Sequence, residues 1–115
     1  MSEPIRLTSV DELDALMEAS RERPVLLFKH SLTCPISATA HEHFRRFHDR
    51  RQGEAQFALV EVQRARPVAS EIAERTGIRH ESPQAILLKD ARPVWHASHW
   101  RIRAAALEQA LASRG

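Results

Sequence analysis

The sequence predicts an α/β fold: a four-stranded mixed sheet flanked by helices, with an extra helix at the N-terminal end. Three observations predict it. Two short, nearly unbroken apolar runs at 25–28 and 57–62 are separated by a helical stretch that Pro35 opens, as expected of strands buried on both faces and joined by a crossover helix. Two further apolar runs, 85–88 and 93–97, are separated only by Lys89-Asp90-Ala91-Arg92 and read as a hairpin. A length of 115 residues suits one domain over 1–115.

Each element has its own local cause. Ser9-Val10-Asp11-Glu12 has the form of a capping box, and Val10, Leu13, Leu16 and Met17 make an apolar stripe, so a helix is expected over 9–20. Arg23-Pro24 breaks it, and the strand at 25–28 follows. Pro35 suits the first helical position, where a missing N–H costs nothing. The helix it opens carries Ala38, Phe44 and Phe47 and runs to about residue 50. Gly53 ends the polar link to the second strand. Pro67 starts a third helix, with Val68 and Ile72 one turn apart, and Gly77 terminates it. After the hairpin, Ile102, Leu107 and Leu111 mark an amphipathic helix over 101–113.

The order α, β-α-β, α, β-hairpin, α is that of a thioredoxin-like fold. A right-handed crossover makes the first two strands parallel, and the hairpin adds antiparallel ones.

Charge excludes little. The isoelectric point of about 9.3 suggests a nucleic-acid binder, yet the formal net charge is only +2. The chain has no tyrosine and only two lysines, Lys29 and Lys89, so a small arginine excess moves the isoelectric point far. Arginines also sit beside acids, as in Arg21-Glu22-Arg23 and Glu71 to Arg75. No nucleic-acid partner is expected. The start of the chain, Met1 to Arg6, lacks the apolar stretch of a signal peptide, and no run approaches the ~20 residues of a membrane helix. A soluble, monomeric, cytoplasmic protein is expected, where an isolated thiol stays reduced.

That thiol is Cys34, the one cysteine. It excludes an internal disulfide and a dithiol relay within one chain. Cys34-Pro35-Ile36-Ser37 has the form C-x-x-S at a strand-to-helix junction. Unpaired N–H groups and the positive end of the macrodipole stabilise a thiolate at such a position. Ser37 stands where a dithiol motif has its second cysteine. It is expected at the helix surface, with its hydroxyl within reach of the Cys34 sulfur, but it cannot resolve a mixed disulfide. A Cys34 adduct should therefore persist until a thiol from another molecule releases it. Ser82-Pro83, just before the third long strand, is a candidate cis peptide that would leave the Ser82 backbone free to pair with an extended thiol substrate. His30, Ser31, Thr33 and His80 are expected on the same rim.

These residues carry a resemblance. The segment Lys29 to Ser37, KHSLTCPIS, resembles the active-site segment of the monothiol bacilliredoxins, the YtxJ-like bacillithiol-system proteins. Arg66-Pro67, the segment Thr76 to Gln84 with its H-E-S-P-Q, and Trp95-His96-Ala97-Ser98-His99 are similar to further stretches of that family. The resemblance implies a thioredoxin-like fold and thiol–disulfide exchange with bacillithiol, a small anionic thiol used in place of glutathione. It implies Cys34 as nucleophile, Thr33, Pro35, Ile36, Ser37 and His30 as its supports, and His80, Ser82 and Pro83 on the substrate side. Bacillithiol would be co-substrate and S-thiolated proteins the partners, with no permanently bound cofactor. The hairpin turn departs from the family's usual Asn-Gly-like pair, since Ala91 gives no help with positive φ. The chain also has Trp100 and Arg103 after Ser98-His99, where the family tends to show a small hydroxyl residue.

Blander readings stand beside this one. A lone cysteine is often an inert, buried hydrophobe; the polar loop before Cys34 and Pro35 after it argue for an accessible helix start. The seven histidines suggest a metal, but His41 and His43 lie two apart on different helix faces. His30 with Cys34 makes an incomplete ligand set. No metal site is expected. Trp95 and Trp100 are expected to pack a core edge and a helix start. The alternative function is a non-catalytic carrier of a thiol adduct or a shared iron–sulfur cluster, or a redox sensor. Cluster-binding monothiol glutaredoxins carry C-G-F-S, and Pro35-Ile36 in place of Gly-Phe should hinder a cluster.

Overall fold

The computed structural model describes residues 3–112. Its elements are β1 (Ile5–Arg6), α1 (Val10–Ala19), β2 (Val25–His30), α2 (Pro35–Arg51), β3 (Gln56–Glu61), α3 (Arg66–Thr76), β4 (Gln84–Lys89), β5 (Arg92–Ser98), a 3-10 turn (His99–Arg101) and α4 (Ala104–Ala112). The sheet order is β1-β3-β2-β4-β5. β2 runs parallel to β3 and antiparallel to β4, and β4 pairs antiparallel with β5. The mixed α/β architecture is as the sequence predicts, with one correction: the sheet has five strands, not four. The added strand is two residues long, with Ile5 opposite Ala58 and Arg6 opposite Leu59. The Leu7 N–H extends the pairing to the Leu59 carbonyl at 2.9 Å. So short a strand has too little alternation to register as a pattern.

Strict alternation along β2 divides the core. Leu26 and Phe28 face a layer with Phe44 and Phe47 of α2 and Leu107 of α4. Val25 and Leu27 face the other layer, with Leu13 and Leu16 of α1 and Val68 and Ile72 of α3. Both faces are buried, which is why the strand reads as one continuous apolar run.

The helix signals hold locally. Ser9 accepts from the Glu12 N–H while the Glu12 carboxylate accepts from the Ser9 N–H, both at 3.2 Å. Gly77 closes α3 in the left-handed region at φ 71°, which costs a residue without Cβ nothing. The last helix starts later than expected, because residues 99–101 form a 3-10 turn; the expected end at Ser113 lies outside the described residues. Both central residues of the hairpin turn have positive φ, Asp90 at 53° and Ala91 at 61°. The primed turns demand this, so Ala91 adopts the conformation without glycine's freedom. Ser20 holds the turn in place, accepting from Asp90 N–H on its carbonyl (3.0 Å) and from Ala91 N–H on its hydroxyl (2.8 Å). Trp95 packs against the α2/α4 layer as expected. Trp100 does not pack: it is 66% exposed on the 3-10 turn. Among the described residues no helix is long and apolar enough to cross a membrane.

Candidate active site

The site lies where β2 gives way to α2. β2 ends at His30, whose carbonyl accepts from the Val62 N–H just beyond β3 (2.9 Å). The loop 31–33 is then held from the side by Gln63. Its Oε1 accepts from the Leu32 N–H (2.9 Å), and its Nε2 donates to the hydroxyls of Ser31 (2.9 Å) and Thr33 (3.4 Å). Cys34 follows as the N-cap of α2 in extended conformation, half-buried, with Pro35 beginning the helix. Thr33 and Pro35 are exposed and Ile36 is half-buried. No acidic residue occupies the first turn of α2, so no anion there opposes a thiolate on the positive end of the helix.

Ser37 differs from expectation. It is fully buried rather than at the helix surface. Its Oγ accepts from the Ser31 N–H at 2.9 Å and lies 2.7 Å from His30 Nδ1. Among the described residues the Cys34 sulfur has no hydrogen-bond partner, so the expected Ser37–sulfur bond gives way to one that closes the loop onto the helix. The sequence pattern places Ser37 one turn from Cys34 and is silent on which neighbour its hydroxyl meets.

His30 is sequestered with an unexpected partner. Its ring stacks on His41 of α2 at 4.5 Å, and both rings adjoin Phe28 at 5.8 Å. Burial, then the neighbouring His41, holds His30 below the usual imidazole range. Burial, then Arg45, does the same for His41. Both rings are neutral at pH 7.

The other half of the site comes from the segment before β4. The Ser82–Pro83 peptide is cis, Ser82 is half-buried and Pro83 buried. The Pro83 carbonyl accepts from the His99 N–H at 3.0 Å, tying this segment to the turn that carries Trp100. Beneath it lies Lys29, 0% exposed. Its Nζ donates to Gln84 Oε1 at 2.8 Å, and Gln84 Nε2 donates to the Arg79 carbonyl (3.1 Å) and the Ser98 hydroxyl (3.4 Å). Burial pushes Lys29 down to about 8, with Glu81 acting in the opposite sense. His80 does not join His30 around Ser37. It lines a cavity of about 150 Å³ with Val62, Arg66, Ala69 and Ser70 on the α3 side.

The sequence assigns no role in the site to Lys29, Gln63, His41 or Gln84. A lysine closing an apolar run was the one available signal among them. The glutamines carry none, because their partners are distant in sequence.

A half-buried cysteine at a β-to-α junction, with a cis-proline just before the neighbouring strand of a mixed sheet, defines a thiol oxidoreductase of the thioredoxin fold. The fold is shared with solved thioredoxins: that of Fasciola hepatica (16% identity, TM-score 0.76, 93% of this chain and 95% of that one) and that of Trypanosoma brucei brucei (16% identity, TM-score 0.75, 95% and 88%). A solved structure described as a putative oxidoreductase with a thioredoxin fold is 36% identical, with TM-score 0.85, over 93% of this chain and 92% of that chain. The sequence matches the family described as monothiol bacilliredoxin BrxC over residues 5–107. The chain belongs to the monothiol bacilliredoxin family.

Proposed function

We propose that the protein removes bacillithiol from cytoplasmic protein cysteines through a mixed disulfide on Cys34, acting as a monomer without a resident cofactor. The observation that carries the reading is the placement of Cys34: half-buried at the start of α2, in a chain with no second cysteine. The Cys34 thiolate attacks the bacillithiol sulfur of an S-bacillithiolated protein. The old S–S bond breaks, the protein's cysteine leaves as a thiolate and takes a proton from solvent, and Cys34–S–S–bacillithiol forms. Ser37 is buried and bound to His30 and Ser31, so nothing in the chain resolves this adduct. A second thiol from outside, bacillithiol or another, attacks it and regenerates Cys34. Thr33, Pro35 and Ile36 frame the thiol, and the half-buried backbone of Ser82 supports the incoming disulfide.

Following the release of bacillithiol from an S-bacillithiolated protein tests this. Wild type should accelerate release when a reducing thiol is supplied, and Cys34→Ser should match the rate without enzyme. Equal rates for wild type and Cys34→Ser would overturn the enzyme reading. An unchanging adduct on Cys34 that never turns over would favour a sensor.

A further inference from the structure

We propose that the cavity between α3 and the segment before Pro83 is an anion subsite, in which Arg66 and His80, with the buried Lys29 ammonium beneath, receive a carboxylate of the low-molecular-weight thiol. The inference rests on the exchange reading above and names the chemistry that selects the thiol. The cavity opens beside the reactive loop: Val62 on its wall is bonded to His30, and the next residue, Gln63, holds residues 31–33. Arg66 and the imidazole of His80 line it, and the Lys29 ammonium lies close enough to act on His80. Lys29 is fully buried with an amide, not a carboxylate, as its hydrogen-bonded partner. Burying an ammonium without a bonded counter-ion is costly, and such groups concentrate at functional sites. Arg66 is exposed at the mouth and has no ion pair among the described residues. The other arginines of α2 and α3, by contrast, are paired: Arg45, Arg46, Arg50, Arg51 and Arg75. His80 is held below the usual imidazole range by partial desolvation and then by the like charges of Lys29 and Arg66. An arriving carboxylate would relieve that repulsion. Ser70 adds a hydroxyl at about one turn from Arg66. Glu81, the nearby carboxylate, accepts from the Ser98 hydroxyl and adjoins His99, Arg79 and His96, and it offsets only part of the positive field at His80 and Lys29.

The test is the rate of mixed-disulfide formation on Cys34 with three symmetrical disulfides: oxidised bacillithiol, neutral hydroxyethyl disulfide and cationic cystamine. In each, the thiolate displaces half of the disulfide as a free thiol, which is read by intact mass. Wild type should prefer the anionic disulfide. Arg66→Gln and His80→Gln, both at exposed positions, should each slow that reaction about five- to tenfold and leave the neutral one unchanged. Arg23→Gln, at the opposite end of the sheet, should alter neither. Equal losses with all three disulfides, or no loss with the anionic one, would overturn the subsite while leaving exchange at Cys34 standing. No reaction with any disulfide would overturn the exchange reading, and the subsite with it.

Discussion

Replacing Lys29 by methionine exchanges a buried ammonium for an apolar chain of similar length, and the consequence follows from the surroundings of Nζ. The native protein holds Lys29 at about 8 against an ordinary 10.5. That gap corresponds to about 3 kcal/mol disfavouring the charged form, which the native state bears at every pH below about 8. Lys29→Met removes this cost. It also takes the 2.8 Å donor from Gln84 Oε1, and an orphaned buried acceptor costs about 1–3 kcal/mol. At pH 7 the variant should be between equal to wild type and about 2 kcal/mol more stable. Between pH 8 and 10.5 the unfolded chain keeps the lysine proton and the native state loses it, so wild-type stability climbs with pH. The advantage of Lys29→Met should therefore shrink across that window. Lys29→Met with Gln84→Leu removes both partners of the 2.8 Å bond but takes the donor from the Arg79 carbonyl and the Ser98 hydroxyl, so it should gain little over Lys29→Met alone at pH 7. Urea unfolding of the three proteins at pH 7 and pH 10 measures all of this. A Lys29→Met difference that is the same at both pH values, or a loss above about 3 kcal/mol at pH 7, would refute the account of Lys29 as a buried, costly charge.

Three further outcomes follow from single contacts. Ala91→Gly relieves a left-handed alanine at φ 61° and should raise stability by about 1 kcal/mol, seen as a higher melting temperature. Ser37→Ala leaves the buried Ser31 N–H without its acceptor and should cost about 1–3 kcal/mol; exchange rates should slow modestly, whereas Cys34→Ser abolishes exchange. His30 and His41 sit below 6.5 in the native state, so the unfolded chain protonates first as pH falls. Stability should drop below about pH 6.5, and His41→Phe, which keeps a ring against Phe28, should flatten that slope in melts taken from pH 7 to pH 5.

The sheet and its helices were legible because their signals are local. Val25 to Phe28 is apolar throughout since both faces of β2 are covered, and Ser9, Pro35 and Gly77 mark helix ends by their own backbone chemistry. β1 was not legible, because two residues gain their pairing only from Ala58 and Leu59 far along the chain. The same division runs through the site. Cys34, Pro35 and the Ser82–Pro83 peptide announce themselves by residue type and position. The partners of Ser37 did not, since the hydroxyl turns to a loop that Gln63 shapes from across the sheet. Lys29 follows directly on the apolar run 25–28, and only the third dimension buries it against Gln84 of β4.

The central claim is that Cys34 takes up one thiol and cannot release it unaided. Intact mass spectrometry of the protein after exposure to oxidised bacillithiol, before and after addition of a reducing thiol, measures this directly. The account predicts a single adduct on Cys34 that is stable alone and is lost when the external thiol is added. An adduct that decays without added thiol, or a mass that never changes, would contradict it.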